Sequence, residues 1–93
     1  MILSFRSREA AKIWRGERSS RLPGSIQEAA RRKLRMLNSS RRLDDLRVPP
    51  ANRLEALKGD RKGQYSIRVN DQWRICFRWT EAGAADVDIV DYH

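Results

Sequence analysis

The feature that most constrains the fold is an alternation of large apolar residues in the second half of the chain. Successive side chains of a β-strand point to opposite faces, so a period of two predicts strands with one apolar face. After residues 54–57, the alternating positions are occupied by Tyr65, Ile67, Val69, Trp73, Ile75, Phe77, Trp79, Val87 and Ile89. This pattern predicts an antiparallel meander of short strands.

The register of the first predicted hairpin follows from keeping these apolar residues on one face. With a three-residue turn through residues 70–72, the facing pairs are Val69 with Trp73, Ile67 with Ile75, and Tyr65 with Phe77. The opposite face then carries Arg68 directly across from Arg74. Facing like charges destabilise a sheet, so this pair predicts an anion-binding site between the two guanidinium groups.

The next predicted hairpin turns through residues 81–83 and separates the roles of two arginines. Its core-facing pairs are Phe77 with Val87 and Ile75 with Ile89. Arg78 then faces Asp86, and a cross-strand salt bridge is a sufficient explanation for Arg78. Arg74 instead faces Val90 and lies beside residues 91–93. Arg74 is therefore the better candidate for a functional residue.

Helical patterns occupy the first half of the chain. Residues 2–5 form a short apolar run consistent with a strand, and Ser7 is a suitable N-cap for a helix ending near Trp14. Residues 15–24 are polar, contain two glycines and a proline, and are predicted to be a connection.

A second helix is predicted from Ser25 to about Asn38. Ser25 and Glu28 match the capping-box pattern, and apolar residues recur at helical spacing at Ile26, Ala30, Leu34 and Leu37. Residues 39–53 are predicted to be a loop with one short turn, because the Pro-Pro pair within them prevents a regular helix. Two helices followed by a meander place the chain in the α+β class.

Composition limits the chain to one small domain with a core. The 93 residues suffice for a single domain, and a hydrophobic content of 40% with three Trp supports packing. The only cysteine is Cys76, so no internal disulfide can form, as expected in a reducing cytosol. No segment has the apolar run of a signal peptide or a membrane span, so a cytoplasmic protein without membrane contact is expected.

The charge balance favours an anionic partner. There are 20 Lys and Arg against 12 Asp and Glu, and Arg outnumbers Lys. Arg binds phosphate through a planar fork of donors and stacks on bases, so nucleic acid is the favoured partner, although Arg-rich codon use would give the same bias. The predicted second helix carries a basic cluster that is either a solvated face or a ribosomal RNA contact: Arg31, Arg32, Lys33 and Arg35.

Three segments together carry a resemblance to a known family. They are the sequence LKGDR at Leu57–Arg61, the strand sequences of residues 63–77 that contain WRICF, and DYH at Asp91–His93. With these segments the whole chain resembles HigB-type toxins of the RelE superfamily. The resemblance implies a RelE-like fold in which two N-terminal helices pack on a small antiparallel sheet, spanning residues 1–93 as a single domain.

The resemblance also implies an activity and partners. The activity is ribosome-dependent cleavage of mRNA in the decoding site, and the partners are the ribosome, mRNA and a HigA-like, DNA-binding antitoxin that restrains a monomeric toxin. Lys58 and Arg74 would hold phosphates, and Asp91, Tyr92 and His93 would contribute to the reacting centre. Some members of the family have His where this chain has Glu55, so either Glu55 accepts the proton or that role is absent.

Cleavage of RNA through its own 2′-OH explains why these residue types matter. The reaction needs a base, cations that neutralise the developing charge, and an acid for the leaving 5′ oxygen, but no metal or other cofactor. His93 is the only histidine and can exchange a proton near neutral pH, with Glu55 or Asp91 as helper. Tyr92 can stack on a base or orient the phosphate. The alternative for His93 is a solvated residue without a role.

Other functions remain open on the sequence alone. One alternative is a basic protein that occupies the ribosome without cleaving RNA. Others are a DNA regulator and a structural ribosomal component. None of these three would need acid and base groups. A groove-binding helix is not apparent, which disfavours the DNA regulator. Toxicity that depends on His93 and Arg74 would exclude the structural component. A zinc enzyme is disfavoured because one His and one Cys cannot form its site.

Overall fold

The strands and helices follow the predicted order, with both helices before the sheet. The computed structural model describes residues 1–92, so His93 lies outside the described part of the chain. The α+β class is confirmed. The elements are α1 (Arg8–Trp14), α2 (Gly24–Ser39), β1 (Glu55–Ala56), β2 (Gln64–Arg68), β3 (Trp73–Thr80) and β4 (Gly83–Asp91).

The sheet is an antiparallel meander in the order β1-β2-β3-β4. Its central hairpin has the predicted register, with Tyr65 opposite Phe77, Ile67 opposite Ile75, and Arg68 opposite Arg74. The amide of Val69 donates to the carbonyl oxygen of Trp73 at 2.9 Å and closes the turn at residues 70–72. The prediction that Arg68 and Arg74 share a face is therefore confirmed.

The second hairpin contains an irregularity that the alternation did not predict. Ile75 faces Ile89 as expected, but Arg78 pairs with Ala85 instead of Asp86. One extra residue of β4 is accommodated between Cys76 and Arg78, and Asp86 has a positive φ of 52°. This β-bulge corrects the predicted backbone pairing. The predicted ion pair nevertheless forms, because Arg78 Nε lies 2.7 Å from Asp86 Oδ2.

Both helices lie on one face of the sheet, where α1 contacts α2 and β4, and α2 contacts β3 and β4. The buried core is formed by apolar residues of both helices and of β2, β3 and β4, with Trp73 and Trp79 packed against it as predicted. Its fully buried large side chains include Ile13, Leu34, Leu37, Ile67, Ile75, Phe77 and Val87. The other sheet face is left for Ser66 and Arg74. Neither helix of residues 1–92 has the length and hydropathy needed to cross a membrane.

The helix starts differ in how well the sequence predicted them. Ser7 caps α1 as expected, and its hydroxyl accepts from the amide of Ala10. The capping box proposed at Ser25 is wrong, because α2 already begins at Gly24 and its cap, Pro23, has no side-chain hydrogen bond. Gln27 instead donates to the carbonyl oxygens of Ser19 and Leu22, which fixes the connection before the helix.

The remaining segments pair with the sheet or turn tightly. Residues 2–5 do not form a full strand but make two parallel bridges to β4, Ile2 with Ala84 and Phe5 with Val87. The predicted loop after α2 contains two short 3₁₀ helices instead of one turn, at Leu43–Arg47 and Pro50–Asn52. A third 3₁₀ helix, Gly59–Arg61, follows β1.

Gly83 is predicted to be indispensable to the contact between the first residues and β4. A Cβ atom at Gly83 would lie 2.2 Å from the carbonyl oxygen of Met1, and the φ of +141° is strained for other residues. We expect Gly83→Ala to lower the free energy of unfolding by about 3 kcal/mol or more, measured by urea denaturation. Gly16→Ala is the control, because Gly16 has a φ of +85° but open space around it, and should cost about 1 kcal/mol. Equal losses in the two variants would contradict the steric explanation.

Candidate active site

Arg74 is a buried cation that is held by neutral oxygen atoms. Its side chain lies in β3, and the residue is 8% exposed. Nε donates to the hydroxyl of Ser66 at 2.7 Å, and Nη2 donates to the carbonyl oxygens of Arg53 at 2.5 Å and Ser66 at 3.3 Å. Within residues 1–92, no carboxylate forms an ion pair with Arg74.

The buried charge of Arg74 is available to an anion. Removing an unpaired charge from water costs several kcal/mol, so buried charges in proteins are normally paired. Nη1 has no acceptor among the described residues, and it is not one of their buried unsatisfied atoms, so it remains accessible to solvent. A phosphate oxygen that reaches Nη1 would supply the missing negative charge.

The accessible end of Arg74 lines an open cavity of about 250 Å³. The other lining residues come from the segment before β1, from β1, from the turn between β2 and β3, and from the end of the described chain. They are Arg53, Glu55, Arg68, Asn70, Asp71 and Tyr92. Three arginines and two acidic residues give the cavity wall an excess of positive charge.

Arg53 reaches the cavity because its backbone adopts a left-handed conformation. Its φ and ψ are 45° and 58°, which is uncommon for a residue with a side chain. This turn aims the carbonyl oxygen of Arg53 at Arg74 Nη2. The preceding residue, Asn52, is fully buried, and its side-chain amide nitrogen, Nδ2, donates to the carbonyl oxygens of Leu46 and Val48. Asn52 thereby anchors the corner that holds Arg74.

Arg68 lies across from Arg74, as predicted, but its charge is already compensated. Its Nη2 atom forms an ion pair and hydrogen bond with Oδ1 of Asp71, whose side chain is almost fully exposed. An anion is therefore not required to separate the two guanidinium groups. Arg74, not Arg68, carries the uncompensated charge.

Glu55 and Tyr92 are the two other predicted site residues that reach the cavity. Glu55 is exposed, and it forms no ion pair within the described part of the chain. Tyr92 is 39% exposed, and its amide donates to the carbonyl oxygen of Gln72 at 2.6 Å. A free carboxylate and an accessible aromatic ring thus flank Arg74.

Asp91 and Lys58 do not line this cavity. Asp91 pairs with Trp73 on the helix-facing side of the sheet, and Gln72 Nε2 donates to its Oδ2 atom at 3.1 Å. Lys58 is exposed at the start of the 3₁₀ helix that follows β1. His93 lies outside the described part of the chain, so its role in the site stays a prediction.

The basic residues of α2 have different environments. Arg31 donates to the carbonyl oxygen of Ile13 at 3.0 Å and pairs with Glu28, so it joins α2 to the end of α1. Lys33 donates to Asn52 Oδ1 at 2.5 Å. Burial, with the nearby charges of Arg32 and Arg68, lowers the pKa of Lys33 below its ordinary value. Arg32 and Arg35 are exposed, and within residues 1–92 they form no ion pair.

Cys76 is not a nucleophile of the site. It is fully buried in β3, and burial raises the pKa of its thiol, so the thiol stays protonated near neutral pH. Among residues 1–92, no group of three or more His, Cys, Asp or Glu side chains is placed to share a metal ion.

Four residues of the site were not singled out from the sequence. Asn70 and Asp71 were interpreted only as turn residues, and Asn70 Oδ1 does accept from the amides of Gln72 and Trp73. Ser66 could have been found from the register, because it lies on the same strand face as Arg68. Arg53 had no local signal, since nothing in its sequence neighbourhood predicts a left-handed backbone.

Comparisons with known proteins agree on one family. The sequence profile of a family described as RelE-like toxin of type II toxin-antitoxin system HigB matches residues 3–93. The chain is 41% identical over 94 residues to "Toxin HigB-1" of Vibrio cholerae serotype O1, covering 100% of this chain and 98% of that protein. It is 28% identical over 93 residues to "Endoribonuclease HigB" of Proteus vulgaris, with both chains fully covered.

We predict that inorganic phosphate binds at Arg74. Raising phosphate at constant ionic strength should raise the thermal unfolding midpoint by about 5 °C, since a ligand of the folded state stabilises it. Arg74→Gln should remove this shift. Arg78→Gln is the control, because Arg78 lies on the same strand but is already paired with Asp86. A full phosphate shift in Arg74→Gln would contradict the assignment.

Proposed function

The chain belongs to the family of RelE-like HigB toxins of type II toxin-antitoxin systems, and from this membership we propose that it cleaves mRNA at the cavity around Arg74. The similarity to an endoribonuclease of the family supports cleavage. The observation that carries the proposal is the buried, uncompensated charge of Arg74, which faces an open cavity next to a free carboxylate. Residues 1–93 would act as a single domain with a RelE-like fold.

The proposed reaction uses the RNA's own 2′-OH as nucleophile. A base removes its proton, the 2′ oxygen bonds to phosphorus, and the bond from phosphorus to the 5′ oxygen breaks. The products are a 2′,3′-cyclic phosphate and a 5′-OH end. Arg74 would stabilise the negative charge that develops on the phosphate oxygens, because its guanidinium is already fixed before the substrate arrives. No metal or other cofactor is required in this scheme.

The proton transfers fall to Glu55 and His93. Glu55 is the cavity carboxylate that forms no ion pair within residues 1–92, since Asp71 is paired with Arg68, and it would accept the proton of the 2′-OH. His93 would donate a proton to the leaving 5′ oxygen, since it is the only histidine and the next residue along from Tyr92. Tyr92, with its exposed ring, would stack on a base beside the scissile phosphate.

The remaining predicted site residues would contribute from positions around the reacting phosphate. Arg68 would contact a phosphate from the cavity wall. Lys58 would bind a neighbouring phosphate of the bound RNA, because its exposed ammonium lies outside the cavity lining. Asp91 would act through its hydrogen bond with Gln72, whose carbonyl oxygen also accepts from the amide of Tyr92.

Dependence on the ribosome is the second part of the proposal. Arg32 and Arg35 are exposed on α2, which supports a contact with ribosomal RNA at these two residues. Arg31 and Lys33 would contribute to the positive field there while also bonding within the protein. The ribosome would position the mRNA, which explains why a small open cavity can suffice.

The family also supports a protein partner. A toxin of a type II toxin-antitoxin system is paired with an antitoxin, and we propose a HigA-like, DNA-binding antitoxin for this chain. The free toxin would be monomeric and cytoplasmic, where it would meet translating ribosomes.

We predict that Arg74→Ala abolishes mRNA cleavage, because Arg74 is the buried cation among the described residues of the cavity and its guanidinium is held in place by Ser66 and Arg53. The measurement is a map of mRNA 5′ ends in a translating extract, with naked RNA of the same sequence in parallel. Wild type should produce new ends only on ribosomes. Arg78→Ala is the control and should cleave at the wild-type rate, since Arg78 lies on the same strand and is paired with Asp86.

The same map tests His93 and the alternative function. Deletion of His93 should slow cleavage by at least about 100-fold, the usual contribution of a general acid. Cleavage of naked RNA at the same sites would contradict ribosome dependence. Blocked translation with intact mRNA would contradict cleavage itself and favour the alternative, a basic inhibitor that occupies the ribosome.

A further inference from the structure

We propose that Ser66 is a positioning residue, which orients Arg74 for the reaction without touching the RNA. The proposal rests on the proposed function and adds to it a residue that neither the family resemblance nor the cavity lining includes. Ser66 is fully buried, and its hydroxyl accepts a hydrogen bond from Arg74 Nε at 2.7 Å. A buried hydroxyl cannot reach the substrate directly, so its effect must pass through Arg74.

The position of Ser66 in the sheet makes it a rigid support. It lies in β2 and is paired on both sides, with Glu55 of β1 and with Cys76 of β3. The backbone is therefore held by strand pairing in both directions, unlike that of a loop residue. Side chains on such elements hold a neighbouring group more accurately than side chains on loops.

The hydrogen bonds to Ser66 select one orientation of the guanidinium group. Nε and Nη2 meet the hydroxyl and carbonyl oxygens of Ser66 and the carbonyl oxygen of Arg53. With these donors engaged, rotation about the terminal bonds of the side chain is blocked. Nη1 is the nitrogen left for the cavity, so the free donors of Arg74 are aimed at the bound phosphate before it arrives.

A hydroxyl at this position also accepts a hydrogen bond from Arg74 without neutralising its positive charge. A carboxylate there would form an ion pair with Arg74 and neutralise the charge that the phosphate requires. A hydrophobic residue would leave Nε without an acceptor in a buried place. Serine satisfies Nε and adds no net charge, which is the combination that an anion-binding arginine needs.

Single-turnover cleavage on ribosomes tests this role. We expect Ser66→Ala to lower the maximal cleavage rate by about 10- to 100-fold, the effect of losing one hydrogen bond to a charged group. The toxin concentration that gives half-maximal rate should rise by less than about threefold, because many contacts with the ribosome, and not the single contact of Arg74 with one phosphate, supply most of the binding in the proposed complex. Ser66→Thr keeps the hydroxyl and should restore the rate to within about threefold of wild type.

A second variant separates positioning from a general effect on the fold. Lysine has one nitrogen in place of the paired Nε and Nη2 donors, so Arg74→Lys removes the two-point attachment to Ser66 that fixes the orientation while keeping a positive charge. Adding Ser66→Ala to Arg74→Lys should therefore slow the residual cleavage by less than about twofold. An unchanged rate in Ser66→Ala alone, or an equal slowing in both backgrounds, would overturn the proposal even if Ser66→Thr does not fold.

Phosphate binding by the purified protein distinguishes failure of this proposal from failure of the proposed function. The dissociation constant of inorganic phosphate, from the thermal shift, should rise about 10-fold in Ser66→Ala and stay near wild type in Ser66→Thr. This result can be obtained whether or not the protein cleaves RNA. Wild-type affinity in Ser66→Ala would show that Arg74 is oriented without Ser66, even in a toxin that cleaves as proposed.

Discussion

Among residues 1–92, the hydrogen-bond acceptors of the buried Arg74 guanidinium are all neutral oxygen atoms, and the rest of the site is arranged around this condition. A guanidinium group removed from water without a carboxylate is costly, so its donors must be satisfied in another way. Ser66 supplies a hydroxyl and a carbonyl oxygen, and Arg53 supplies a second carbonyl oxygen. These hydrogen bonds hold the cation in place while leaving its charge for an anion.

The fold can bury Arg74 in this way because the two faces of the sheet have different compositions. The face with the alternating apolar residues packs against α1 and α2 and supplies the core. The other face carries Ser66 and Arg74, with β1 and the segment before it alongside. The 3₁₀ helix at Pro50–Asn52 connects the two sides, because Asn52 accepts from Lys33 of α2 while the next residue, Arg53, accepts from Arg74.

The parts of this arrangement that follow a period were predictable from the sequence. A strand offers two registers with respect to its faces, and only one of them buries the apolar residues, so the pairing of Arg68 with Arg74 could be derived. The bulge at Asp86 escaped this reasoning, since an extra residue interrupts the period without a local signal. The pairing of Arg78 was wrong by one residue for the same reason, although its salt bridge was predicted.

Features set by long-range hydrogen bonds were not predictable. The conformation of Arg53 depends on the burial of Asn52 against the loop after α2, and no short sequence pattern encodes that contact. The capping box at Ser25 was wrong because the helix begins one residue earlier, at Gly24, and Gln27 fixes the connection before it through hydrogen bonds to distant carbonyl oxygens. The basic cluster of α2 is uniform in sequence, yet Arg31 and Lys33 bond within the fold while Arg32 and Arg35 face solvent. Charge alone could not separate these environments.

Chemical rescue of Arg74→Ala tests the central claim most directly. Truncation of Arg74 leaves a space bounded by the oxygen atoms of Ser66 and Arg53, which can hold a free guanidinium ion. Millimolar guanidinium should restore cleavage of ribosome-bound mRNA at the wild-type sites, in a saturable manner, whereas the same concentration of urea, which is neutral and similar in shape, should not. Wild-type cleavage by Arg74→Ala without any addition, or equal recovery with urea, would contradict the claim that the fixed charge at this position drives the reaction.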